Sequence, residues 1–143
     1  MQAALAQAEA AAARGEVPVG AVVVGSDGRV LARAGNRTRE LADPTAHAEL
    51  LAIREACGAL GSERLDGADL YVTLEPCPMC AAAISFARIR RLYFGAPDPK
   101  GGGVEHGARI FTQPTCHHAP QVYGGIEETR AGDLLRSFFS SRR

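Results

Sequence analysis

Four residues in two short segments, His47-Ala48-Glu49 and Cys77-Pro78-Met79-Cys80, constrain what this chain can fold into more than any other feature. On a helix, residues two apart are rotated by about 200°, so His47 and Glu49 cannot share a helix side. They can meet at one point only where a helix N-terminus aims at it. Cys77 and Cys80 are three apart at a predicted helix start and return to nearly the same face. The pattern therefore asks for two helix N-termini converging on one place, beyond the carboxyl ends of neighbouring sheet elements. The positive ends of helix dipoles favour thiolates there. His47, Cys77 and Cys80 would then give zinc three protein ligands and leave a fourth position open to water. Glu49 has no ligand role left and is placed to carry a proton.

Each segment has a plainer reading when taken alone. Cys-x-x-Cys serves redox pairs and structural zinc sites, and a histidine at a helix start often only caps or packs. A structural zinc would need a fourth protein ligand, for which Cys116, His117 and His118 are the candidates.

The rest of the chain reads as α/β around a mixed sheet. Leu5, Ala8 and Ala12 fall at helical spacing before Pro18. The apolar run Val19 to Val24 fits a strand buried on both faces, and Gly25-Ser26-Asp27-Gly28 turns it into a second strand over 29–34. Asp43-Pro44-Thr45 predicts a helix start, with Leu50, Ile53, Cys57 and Leu60 following. A strand over 70–74, a helix over 78–89 and a strand over 92–94 read as a parallel βαβ unit with a right-handed crossover. Val122 and Tyr123 suggest a last short strand, and Ala131, Leu134, Leu135, Phe138 and Phe139 an amphipathic final helix.

The 143 residues suit one domain, and 16 basic residues balance 16 acidic ones. No global field draws a polyanion, although a local basic patch stays open. The first 14 residues lack the basic and strongly apolar regions of a signal peptide. No apolar run approaches the roughly 20 residues that span a membrane. With no export signal, the four cysteines point to metal or redox chemistry in a cytoplasmic protein.

In this order, each at a strand–helix junction, the two segments match the H-x-E…P-C-x-x-C pattern of zinc deaminases. The chain resembles the bacterial tRNA-specific adenosine deaminases, a branch of the cytidine/deoxycytidylate deaminase superfamily, over nearly its whole length. Besides the zinc motifs, the match takes in Glu16-Val17-Pro18-Val19-Gly20-Ala21, Gly35-Asn36-Arg37 and Asp43-Pro44-Thr45-Ala46. It also takes in Leu70 through Glu75-Pro76-Cys77, Phe94-Gly95-Ala96 with Asp98 and Lys100, and Phe138-Phe139. The stretch Gly101-Gly102-Gly103-Val104-Glu105-His106 is richer in glycine than the family's common pattern.

The resemblance implies a three-layer α/β/α sandwich with about five strands, one Zn²⁺ per subunit, and a homodimer that binds a tRNA anticodon loop. It implies that Glu49 is the catalytic acid and base and that Asn36 hydrogen-bonds the base or its ribose. Val17, Ala48 and Pro76 would contact substrate, and Asp98 and Lys100 would grip flanking nucleotides. Phe138 and Phe139, Phe139 above all, would close the site from the last helix. Arg142 and Arg143 would face RNA phosphates. The implied reaction turns adenosine to inosine at the wobble position, by analogy in tRNA-Arg. Two other functions compete: a deaminase of a free base or nucleoside such as guanine or cytosine, and a non-catalytic zinc-stabilised RNA-binding module. The last leaves Glu49 without a purpose.

Overall fold

The computed structural model describes residues 1–142. Its elements run α1 (Gln2–Ala13), β1 (Gly20–Val24), β2 (Val30–Gly35), α2 (Ala48–Leu60), β3 (Asp69–Leu74), α3 (Pro78–Phe86) and β4 (Arg91–Ala96). A short 3₁₀ turn (Ile110–Thr112), β5 (Gln121–Tyr123) and α4 (Glu128–Ser140) complete the chain. The five strands form one mixed sheet in the order β2-β1-β3-β4-β5. β1 is antiparallel to both β2 and β3, whereas β3, β4 and β5 run parallel. Helices α1 and α4 touch each other and the sheet, and α2 packs with α3 in the other helical layer. The expected three-layer sandwich is the fold.

The two helical layers are held in different ways. Toward α2 and α3, the core is built from Val23, Leu70, Val72, Ile84, Leu92 and Phe94, with Ala52, Ile53 and Ala56 of α2. Fully burying such an aliphatic or aromatic side chain contributes about 1.5–3 kcal/mol. Toward α1 the contact is nearly bare backbone. Ala4, Leu5, Ala8 and Ala11 have no exposed surface. A Cβ on Gly20 would lie 2.0 Å from the Ala4 carbonyl oxygen, so only glycine lets this helix approach. The alanine-rich start of the chain is thus a close-packing device.

Two boundaries differ from expectation, each for a local reason. α2 starts at Ala48 and not near Pro44. Asp43 spends its carboxylate on a turn, accepting from the Thr45 amide (2.8 Å) and hydroxyl (2.7 Å), so it cannot cap a helix. The buried face of α2 is Ala48, Glu49, Ala52, Ile53 and Ala56, while Leu60 stands 52% exposed. α3 stops at Phe86 because Arg88 adopts φ 63°, yet Ile89 beyond it is fully buried.

The packing predicts opposite effects at two glycines. Gly20→Ala should cost about 2–4 kcal/mol through overpacking. Gly58→Ala, in α2 with nothing within 4 Å of the added carbon, should gain about 0.5–1 kcal/mol. Urea midpoints of the two variants measure both.

Candidate functional site

His47 is the N-cap residue of α2 (φ −73°, ψ 151°), and Cys77 is the N-cap residue of α3 (φ −70°, ψ 170°). Glu49 and Cys80 sit in the first turns of these helices, and Pro78 occupies the first helical position of α3, where its missing N–H costs nothing. The two helix N-termini converge. His47 Nδ1 lies 3.6 Å from Cys77 Sγ and 3.5 Å from Cys80 Sγ. Zinc with Zn–S near 2.3 Å and Zn–N near 2.0–2.1 Å in a tetrahedron places nitrogen and sulphur about 3.5 Å apart. The donor set therefore fits a zinc ion.

Cys116, His117 and His118 are not among the residues that converge there. They pack at the far end of α3, where Ser85 Oγ contacts Cys116 Sγ (3.5 Å) and accepts from the His118 amide (3.2 Å).

Electrostatics in the cluster follow from burial and close contact. The hydrogen bond from Cys77 raises the His47 pKa against the effect of burial. Cys77 is pushed well below an ordinary thiol, first by its hydrogen bond with Cys80 and also by His47. Cys80 is pushed up, by the Cys77 hydrogen bond first and then by burial. Glu49 is 4% exposed, and burial raises its pKa to about 7.

A cavity of about 330 Å³ opens onto this centre. Its walls include Val17, Asn36, Ala48 and Asp98 among the residues expected from sequence, together with His47, Glu49 and Cys77. Val19, Thr38, Leu74, Glu75 and Gly101 also line it, and sequence reasoning missed them. Pro76 is buried just behind, its carbonyl accepting from the Gly103 amide (2.8 Å).

Lys100 and Phe139 lie elsewhere. They share a second groove of about 710 Å³ with Leu135, Arg136, Ser140 and Arg142. Phe139 is 49% exposed there, whereas Phe138 is buried, with the Arg142 guanidinium 3.8 Å above its ring. Arg143 lies outside the described residues.

Two buried carboxylates support the walls. Glu16, 2% exposed, accepts from the amides of Arg39 (3.2 Å) and Glu40 (2.8 Å) and from Asn36 Nδ2 at 3.5 Å. A carboxylate can only accept, so it fixes which end of the Asn36 amide faces it. Glu75 accepts five hydrogen bonds from the segment 98–106. Burial works to raise its pKa, but the hydrogen bonds, from Asp98 and His106 foremost, outweigh that and hold it below the usual carboxylate range. The signal for both was present in the sequence, as a charged residue inside an otherwise apolar strand flank. Their partners lie too far along the chain to be read from it.

The glycine run also has a physical reason. A Cβ on Gly102 would sit 2.3 Å from Glu75 Oε2, and one on Gly103 would sit 2.5 Å from the Pro78 nitrogen.

Comparison with known proteins gives one family and close relatives. Residues 1–96 match the cytidine and deoxycytidylate deaminase zinc-binding region. A tRNA-specific adenosine deaminase of Agrobacterium fabrum is 68% identical over 143 residues, covering 100% of this chain and 93% of that protein. A solved structure from a study of A-to-I editing by tRNA:A34 deaminases superposes with a TM-score of 0.92 at 69% identity, covering 94% of this chain and 97% of that one. Bacillus subtilis guanine deaminase is more distant, at TM-score 0.67 and 32% identity over 99% of this chain and 90% of its own.

The raised Glu49 pKa carries a stability consequence in protein stripped of metal by a chelator. A carboxyl whose folded pKa is about 7 against an ordinary 4.5 favours the protonated folded form. The resulting penalty begins as pH climbs past 4.5 and is complete above 7, with a ceiling of about 3 kcal/mol. Glu49→Gln should therefore raise the melting temperature of the stripped protein clearly at pH 8 and little at pH 5. An equal gain at both pH values would contradict the shift.

Proposed function

Because the chain belongs to the tRNA-specific adenosine deaminases, zinc-dependent hydrolases of the cytidine and deoxycytidylate deaminase family, we propose that it converts adenosine to inosine at the wobble position of tRNA-Arg. The observation that carries the reading is the second groove. Lys100 and Arg142 give it positive charge beside the Arg136–Asp133 ion pair, and Phe139 gives it an exposed ring. That combination suits the phosphates and stacked bases of a single strand. A free base would use neither. With a net charge of zero, attraction for RNA would come from a local patch of this kind.

In this reading His47, Cys77 and Cys80 hold the zinc, which when bound lowers the pKa of a water from 15.7 to roughly 7. Glu49 accepts the proton of the water that adds to C6 of adenine and delivers it to N1. It then takes the second proton, from the hydroxyl now on C6, and passes it to the departing amine, so that the C6–N bond breaks, C6 becomes a carbonyl and ammonia leaves. Buried at the start of α2 beside the three ligand residues, Glu49 is placed to take that proton and to give it back. Asn36, Val17 and Ala48 hold the extruded base or its ribose, with Pro76 backing the wall. Asp98 accepts from the amides of Lys100 (3.2 Å) and Gly101 (2.9 Å), shaping the loop so that Lys100 faces the flanking nucleotides. Extruding the base costs least in an anticodon loop, which is already single-stranded.

We further read the enzyme as a cytoplasmic homodimer. No helix among the described residues is long and apolar enough to cross a membrane. Leu60 and Phe86, at the C-terminal ends of α2 and α3, are 52% and 65% exposed and offer the apolar surface that a second copy would cover.

Glu49→Ala should keep zinc and the fold and lower turnover by at least about 10²-fold, whereas His47→Ala should lose the metal. The substrate is decided by incubating the protein with a tRNA-Arg anticodon stem-loop and, separately, with guanine, cytosine and cytidine. Inosine should form in the RNA. Ammonia released from a free base with no inosine in the RNA would overturn the wobble reading in favour of a free-base deaminase. For the dimer, Phe86→Glu should halve the mass seen by light scattering, and an unchanged mass would move the interface elsewhere.

A further inference from the structure

We propose that Glu75, through its pair with His106, is the positioning residue that sets the distance between the substrate-gripping wall of the cavity and the reacting centre. The proposal rests on the RNA adenosine reading above. Glu75 is the first residue after β3 and stands two residues before Cys77, so its backbone belongs to the same rigid stretch that presents the thiolates. Its side chain has no exposed surface. Oε1 accepts from the Asp98 amide (3.0 Å) and from His106 Nδ1–H (2.8 Å). Oε2 accepts from the amides of Val104 (3.2 Å), Glu105 (3.0 Å) and His106 (3.1 Å).

These five donors span the segment that carries Asp98 and Gly101, both of which line the cavity. The segment has neither helix nor strand of its own from Pro97 to Arg109. Its path is therefore set by what it binds. Glu75 gathers both ends of the segment, Gly102 is packed against the carboxylate, and the Gly103 amide is tied to the Pro76 carbonyl. A buried anion with this many donors cannot be exchanged for a neutral group of the same shape without losing partners. An amide at position 75 would turn an NH₂ group toward N–H donors. His106 closes the arrangement from the solvent side, with its side chain 36% exposed.

Because Glu75 binds the loop and Glu49 lies beside the His47–Cys77–Cys80 cluster, the effect should fall on substrate capture more than on the chemical step. Glu75→Gln should keep its zinc by metal analysis, raise KM for the anticodon stem-loop about tenfold and leave kcat within about twofold. His106→Ala should raise KM about threefold, and His106→Gln, which keeps an N–H donor, should restore most of the wild-type value. Amide hydrogen exchange read without any substrate should quicken at Asp98, Val104, Glu105 and His106 in Glu75→Gln and His106→Ala.

Unchanged exchange at those amides, or a fall in kcat at constant KM, overturns the assignment. Where Glu75→Gln does not fold, the His106 pair and its exchange pattern decide alone. Failure of the wild-type protein to deaminate the RNA overturns the substrate reading instead and leaves the exchange comparison intact as the test of Glu75.

Discussion

One imidazole nitrogen and two sulphur atoms have to stand within bonding reach of a single point, and the rest of the fold is arranged around that demand. Satisfying it takes the starts of α2 and α3 side by side in one helical layer, because the N-cap residues of both helices carry ligand atoms 3.6 Å apart. Parallel β3 and β4 with α3 between them bring Cys77 to the carboxyl edge of the sheet. On the other side α1 lies almost flat against the sheet on glycine and alanine, so the layer that carries no ligand takes little space. Positive helix ends gathered in a partly buried place would be costly alone and are favourable around thiolates.

Three buried glutamates in an electrically balanced chain show how burial is turned to different ends. Glu16 and Glu75 sit at 2% exposure and Glu49 at 4%. The first two accept from backbone N–H groups, which hold each side chain in one place. Glu49 accepts nothing comparable from the loops, and burial dominates its pKa. The same side chain is thus a fastener at two positions and, at the third, a carboxyl whose pKa burial lifts. What separates them is the number of donors aimed at each.

What could be read from the chain was whatever depends on near neighbours. The ligand spacing, the β1–β2 hairpin, the doubly buried β1 strand and the last helix all follow from periods of two or four residues and from local turns. The start of α2 was misplaced because Asp43 offers equally good chemistry to a helix cap and to a turn, and the turn won. Its buried face is set largely by alanines, which leucines outrank in any hydrophobic pattern but which allow the closer approach. Glu75 was visible as part of a motif, but its partners lie 23 to 31 residues onward. Asp98 and Lys100 read as one grip and Phe139 as closure of the site, yet in the folded chain Lys100 and Phe139 share a groove apart from the cavity that Asp98 lines.

The segment from 97 to 106 divides its positions into two kinds. Gly102 and Gly103 are wedged against a carboxylate and a backbone that cannot retreat, while Pro97, Pro99 and Lys100 stand exposed. Mutational drift in this loop is therefore channelled. Variation has room at the outward positions, without loosening the anchor beneath. Within one short stretch, a change of side chain is thus cheap at some positions and closed at others two or three residues away.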